Sequence, residues 1–328
     1  MKRKPTQYIS GIVALAVLVT AGWILREKLG DLEIAEIWAR IKATPWSNVG
    51  NTLLCTAAAY LVLTIYDSTA FAYIQRPMRF TRIMYVSFVA YAFSHTIGLG
   101  AISGGSVRYR FYSRWGVSAY DIATVIIFGG MAYILGIIAV AGLIILVNAG
   151  ELSTALGISI WVARFVGIAA AIVGSGYLAW SIAGRPSFTI KDRRFTPPSL
   201  AIAITQIGTA CLEWGFASAA LYFLLPAETQ VSYWHFVAIY VIGYVVGMIS
   251  QAPGGIGVFE AMLLLLLPEA TPKDALLAAV LTYRALYFLL PFLIALAMMS
   301  GSEVRGFARA ARKVALTKRR QDRHSEFK

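Results

Sequence analysis

Seven ionisable side chains stand in or beside stretches that are otherwise apolar, and their types limit the chemistry available. Asp67 lies in TIYDSTAF, Glu213 in ACLEWGF and Arg284 in TYRALYF. Each costs roughly 2.5–3.5 kcal/mol at the centre of a membrane span, so each calls for a partner, a ligand or water. Arg284 suits an anion or an acid such as Glu213; Asp67 and Glu213 suit a cation or a proton. His95 suits a proton relay or a structural hydrogen bond. Arg108 and Arg110 follow a glycine cluster, and Glu260 follows a second one. A helix restarting after each cluster, near Gly105 and near Gly257, offers free N–H groups and a dipole that favour an anion. Two other readings stand beside this one. The arginines also fix topology, and Glu260 also fits as a first-turn acid complementing its helix dipole.

The elements that position these residues follow from composition. Of 328 residues, 59% are hydrophobic and only 14% charged, which excludes a water-soluble globule and indicates an all-α polytopic membrane protein. Apolar runs lie at 8–25, 48–74, 83–102, 119–147, 159–183, 199–225, 234–267 and 275–299, most of them near or above the roughly 20 residues needed to span. The first run, after Lys2, Arg3 and Lys4, is long and lacks a small-residue cleavage site, so it reads as a span rather than a leader. Cys55 and Cys211 sit inside apolar runs as packing residues. No metal motif is legible and no cofactor is expected, nor is a nucleic-acid partner.

Charge placement sets topology. The basic N-terminus, Arg76, Arg79 and Arg82, the segment with Arg108, Arg110 and Arg114, the segment with Arg185, Lys191, Arg193 and Arg194, and the basic tail 301–328 should all face the cytoplasm. That pattern holds only if two runs fail to cross. The first, AFSHTIGLGAISGGSVRYRFY, breaks at Gly98, Gly100, Gly104 and Gly105; the second breaks in QAPGGIG at Pro253, Gly254, Gly255 and Gly257. The expectation is six spans and two re-entrant hairpins, with inverted repeats at about 48–147 and 199–299 inside a 1–300 membrane domain and both termini cytoplasmic. Such repeats let one site open alternately to each face. Ile34, Ile37, Trp38 and Ile41 share a helical face and predict an interfacial helix, and the 304–320 segment should lie on the anionic leaflet.

SHTIGLGAISGGSVRYRFY, QAPGGIGVFEAM and TYRALYFLLP together resemble the lysylphosphatidylglycerol synthase transmembrane-region family, the flippase-like half of bacterial aminoacyl-phosphatidylglycerol enzymes, over roughly residues 10–300. The resemblance implies movement of a phospholipid, anionic or aminoacylated, across a bacterial inner membrane. Arg108, Arg110, Glu260 and Arg284 would then meet a lipid phosphate, and Asp67 and Glu213 a cationic headgroup or a coupling proton. The bifunctional members continue into a cytoplasmic aminoacyltransferase domain where this sequence stops at Lys328, so it resembles a stand-alone member or a cut-out of a longer protein, and lipid aminoacylation is not carried over to it. The other function class is a non-catalytic partner of a lipid-modifying synthase, and a homo-oligomer is compatible with either. An intramembrane serine protease fits poorly. AISGGS with His95 is faintly similar to a rhomboid protease, but Ala101 occupies the first glycine of the usual G-x-S-G and no later span offers a deep histidine base.

Overall fold

A computed structural model describes residues 19–27, 33–97, 100–150, 153, 159–183, 188–190, 193–250 and 252–301. The described part is helical apart from one short antiparallel hairpin, Phe188–Ile190 paired with Arg193–Phe195. We number the helices α1 (Ile34–Ala43), α2 (Trp46–Tyr73), α3 (Phe80–Ile97), α4 (Gly100–Arg114), α5 (Ala119–Val147), α6 (Ile160–Ala183), α7 (Leu200–Tyr222), α8 (Tyr233–Ile249), α9 (Val258–Leu266) and α10 (Lys273–Tyr283). A π-helical turn, Arg284–Leu289, extends α10, and the whole segment Lys273–Gly301 is one long apolar helix. That segment and α2, α5, α6 and α7 are the five described helices long and apolar enough to cross a membrane. They coincide with five of the six spans read from the sequence. The sixth, 8–25, lies outside the described residues except for its end, where Ala21 packs on Val258 and Ala261.

Local sequence starts these helices. Ser118, Ser199 and Ser232 each accept a hydrogen bond from the backbone N–H three residues on, capping α5, α7 and α8. Beyond that, burial decides. Among the described helices α2 and α7 share the most extensive interface, and Thr52 Oγ1 donates to Ala220 O across it at 2.9 Å. The side turned away from the molecule stays apolar, as Trp161, Phe165 and Ile182 of α6 show. A face of that kind is suited to lipid.

The remaining helices form two hairpins, α3–α4 and α8–α9, each packed along its own length. The first opens at one end of the molecule. There Arg76 bonds Asp121 Oδ2 at 3.1 Å and Gly116 O, Arg82 lies 4.9 Å from the Trp115 ring, and Tyr73 Oη donates to Thr196 O at 2.9 Å. The second opens at the other end. There Arg40 bonds Asp274 at 2.6 Å, Tyr222 Oη donates to Val231 O at 3.0 Å, and Gln230, His235, Leu266 and Glu269 line one groove. Between the ends runs α2, whose 28 residues extend about 42 Å at about 1.5 Å each. The order long helix, hairpin, long helix thus occurs twice, once from each end.

Two expectations about the first hairpin need correction. α3 ends at Ile97 and α4 begins at Gly100; residues 98–99, and with them the expected break at Gly98, lie outside the described residues. Gly100 starts α4, and Gly104 and Gly105 lie within it rather than at the tip, so the helix does not restart near Gly105. Their role is close packing. A Cβ on Gly104 would stand 2.2 Å from Ser94 Oγ and 2.8 Å from Ala90 O, so glycine lets α4 press against α3. The second break is where it was expected. Pro253–Gly255 forms a single 3₁₀ turn, and Gly254, Gly255 and Gly257 have φ of 61°, 64° and 84°, a region that side-chain-bearing residues rarely enter. The basic tail 304–320 lies outside the described residues. Helix α1 forms, with Ile34 and Trp38 exposed.

Candidate functional site

The tip of the second hairpin meets the end of α3 in the interior. A Cβ on Gly254 would lie 4.0 Å from His95 O and 3.6 Å from Arg284 Nη1, which brings the tip of the second hairpin against the end of α3 and the π-turn of α10. The level is half-way along α2. Tyr60, fourteen residues or about 21 Å from Trp46, has its ring centroid 6.1 Å from that of His95 and 6.0 Å from that of Tyr287. The π-turn matters locally because its wider winding displaces carbonyls from the ordinary ladder. Two of them are taken up by side chains: Tyr60 Oη reaches Tyr287 O at 3.4 Å and Thr96 Oγ1 reaches Phe288 O at 3.2 Å.

Arg284 serves the second tip. Its Nε donates to Glu260 Oε1 at 2.7 Å and its Nη1 to Gly254 O at 3.0 Å. Glu260 Oε2 in turn accepts the N–H of Gly257 at 2.7 Å. The helix start expected to bind an anion is therefore occupied by the chain's own carboxylate, the first-turn acid of α9, which also holds Arg284. Arg284 meets Glu260 and not Glu213. Glu260 sits on the hairpin that Arg284 braces, whereas Glu213 faces a cavity with His95 and Tyr287.

Asp67 and Arg108 form the second pair. The guanidinium straddles the carboxylate, with Nε at 3.2 and 3.0 Å from the two oxygens and Nη2 at 2.8 Å from Oδ1. Tyr112 Oη donates to Asp67 Oδ2 at 3.0 Å, and the Tyr91 ring lies 4.6 Å from the guanidinium carbon. Asp67 is fully buried and the Arg108 side chain is 6% exposed, so the pair ties α2 to the first hairpin inside the molecule. Arg110, two residues further along α4, is exposed. Two helical steps turn a side chain by about 200°, which separates residues that look like neighbours in sequence.

Glu213 is buried without a cation beside it. It lines a small cavity with His95, Tyr133, Trp214, Tyr240, Tyr244 and Tyr287. The candidates Asp67, Glu213, Glu260, Arg284, Arg108 and Arg110 thus stand as two ion pairs, one acid without a cation beside it and one surface arginine. Sequence reasoning missed the aromatic residues. Tyr91 lies against Arg108 and Tyr112 holds Asp67, and the spacing Tyr240/Tyr244 and Tyr283/Tyr287 repeats at four residues inside apolar runs, which is the signal that could have found them.

With that geometry in view, the comparisons assign the family. Residues 11–295 match the lysylphosphatidylglycerol synthase TM region. A Synechocystis protein, slr0712, is 33% identical over 261 residues, covering 77% of this chain and 80% of its own length. The Escherichia coli inner membrane protein YbhN is 30% identical over 263 residues, covering 80% of this chain and 82% of its own length. A Staphylococcus aureus phosphatidylglycerol lysyltransferase is 26% identical over 247 residues, where 74% of this chain spans only 28% of that protein. Two of these relatives are therefore about as long as the matched region, and in the third it is part of a larger protein. This chain is a polytopic membrane protein of the lysylphosphatidylglycerol synthase TM-region family.

Proposed function

We propose that the protein moves a phospholipid, anionic or aminoacylated and phosphatidylglycerol-like, between the leaflets of a bacterial inner membrane. The observation that carries this reading is the pair of hairpins that open at opposite ends and meet beside Arg284 and His95. In this reading both hairpins are re-entrant, segments 48–147 and 199–299 are inverted repeats, and both chain termini are cytoplasmic. Polar backbone at bilayer depth is tolerated where it is enclosed by protein or lines a wet path, and broken helices near the midplane commonly form transport sites. A headgroup crossing roughly 30 Å of hydrocarbon needs such a path.

Arg284 is the residue we assign to the lipid phosphate. Its side chain is 19% exposed against 6% for Arg108, and its partner Glu260 is itself 12% exposed. A phosphate can displace one carboxylate from Arg284 and keep a two-pronged contact, because the planar guanidinium fits either group. Arg108, gripped by Asp67 and Tyr91, with Tyr112 on Asp67, acts as a fixed strut. The names of the relatives agree in kind, one being an inner membrane protein and another an enzyme of phosphatidylglycerol. No catalytic role enters this reading.

A second reading, a non-catalytic partner for a lipid-modifying synthase, is favoured by one observation: in the lysyltransferase this region is joined to much additional sequence. Reconstituted vesicles separate the two. Labelled phosphatidylglycerol, its lysyl ester and phosphatidylcholine are each scored for leaflet exchange against protein-free vesicles. Lipid movement expects faster exchange of the first or second and not of the third. Exchange no faster than in empty vesicles for all three supports the partner reading.

A further inference from the structure

The cavity at Glu213 carries a feature that lipid binding at Arg284 does not use. Two polar atoms of its lining, His95 Nδ1 and Trp214 Nε1, lack a hydrogen-bond partner, and the Glu213 carboxylate and the Tyr287 hydroxyl face each other with no further partner. Glu213, Trp214 and Tyr287 are 4%, 2% and 2% exposed. Buried polar groups are rarely left in this condition, and a cluster of them at one small cavity calls for a partner there. The space suits roughly one water molecule, which needs two to four polar partners. Trp214 can only donate, ionised Glu213 can only accept, and Tyr287 and the histidine ring can do either. That mixture matches water or a proton in transit. A bound ammonium or metal ion has no use for the indole N–H.

Every element around Glu213 contributes a group that bears on its charge. α2 brings Tyr60 and Tyr66, α3 brings Tyr91 and His95, α5 brings Tyr133, α8 brings Tyr240 and Tyr244, and the π-turn brings Tyr287. The two arginines within electrostatic range of this layer, Arg108 and Arg284, are held by Asp67 and Glu260. No cation therefore neutralises Glu213 among the described residues. An ionised carboxylate closed away from water without one is costly, whereas the neutral acid is not. Two of the walls are His95 at the end of the first hairpin helix, touching the Gly254 tip, and Tyr287 of the turn that Thr96 and Tyr60 hold. Parting of the α3 end from the Gly254 turn would open the cavity to water.

We infer that Glu213 and His95, bridged by one water, form a proton site that takes up a proton when the end of α3 and the Gly254 turn close on each other and releases it when they part. The step is a simple exchange: a proton from hydronium forms the O–H bond on Glu213 Oε2 and leaves water behind, and opening reverses it, with His95 Nδ1 as the neighbouring acceptor. The link to lipid movement rests on the transport reading above; the proton site itself does not.

Infrared difference spectra of the full chain in vesicles, taken between about pH 5 and about pH 9, test the site directly. The wild type should show a carboxylic-acid carbonyl band that grows as pH falls and that is missing in Glu213→Gln and present in Glu260→Gln. His95→Gln, which keeps the cavity closed, should move the midpoint of that band, so the test survives if Glu213→Gln folds poorly. No Glu213-dependent band, or a midpoint unmoved by His95→Gln, overturns the site. Leaflet exchange is read in the same vesicles. Wild-type exchange should change with pH by up to about tenfold per unit, the limit for one proton, and Glu213→Gln should change less than about twofold. Equal pH dependence in the two overturns the coupling, while a normal band without exchange in any lipid sinks the transport reading and leaves the proton site supported.

Discussion

Removing Asp67 should cost the molecule more than removing any other single acid. In Asp67→Ala the Arg108 guanidinium, 6% exposed, loses three N–H···O contacts of 2.8–3.2 Å, and the Tyr112 hydroxyl loses its acceptor. Breaking a buried pair by deleting one partner costs about 3–5 kcal/mol, because an uncompensated charge stays behind. Arg108→Met should fall in the same range. It strands the carboxylate and loses the cation–π contact with Tyr91, itself worth about 0.5–2 kcal/mol. The double variant Asp67→Ala/Arg108→Met leaves no buried charge and should recover much of the loss, giving a coupling of at least about 2 kcal/mol. Denaturant unfolding of the purified protein in mixed micelles supplies the four values of the cycle. Single variants within about 1 kcal/mol of wild type, or losses that simply add, would refute the reasoning that this pair is a closed structural strut.

Three other expectations follow from the same geometry. Gly104→Ala places a methyl group 2.2 Å from Ser94 Oγ and 2.8 Å from a backbone carbonyl, so it should destabilise by about 1–3 kcal/mol; Gly105→Ala, whose nearest neighbour is Ile126 Cδ1 at 3.3 Å, should cost less, as thermal unfolding will show. Gly255→Ala forces a side chain onto φ of 64° and brings a methyl to 3.4 Å from Gly247 Cα, with an expected cost of about 1–2 kcal/mol and a melting point lower than wild type. In a background lacking Cys55 and Cys211, single cysteines at Arg79 and Arg114 should label from one face of sealed vesicles and one at Glu269 from the other; labelling of the Arg114 position from the Glu269 side would contradict hairpins inserted from opposite faces.

Much of this architecture was legible because hydropathy and charge both leave long-range marks on a membrane chain. Spans such as 119–147 and the glycine break at 253–257 need no tertiary information to be placed. The partners of the buried charges were not legible. Which acid Arg284 meets depends on the rotation of α10 and on the reach of the α9 tip, neither of which the spacing of Glu213, Glu260 and Arg284 encodes. Gly104 and Gly105 misled for a related reason: a glycine pair marks either a break or a close approach, and only the position of α3 against α4 decides between them. The cavity at Glu213 is assembled from five helices distant in sequence, so its aromatic lining becomes a site only when folded.

The claim that matters most is that lipid passes by Arg284, and exchange of labelled phosphatidylglycerol between leaflets measures it. Proteoliposomes of wild type should exceed empty vesicles, Arg284→Ala should lose at least about tenfold of that excess, and Arg284→Lys should recover it only in part, since an ammonium lacks the planar fork that grips phosphate. Adding Glu260→Gln to Arg284→Ala should restore stability by removing the stranded carboxylate, without restoring exchange. Wild-type exchange by a well-folded Arg284→Ala protein would contradict the account.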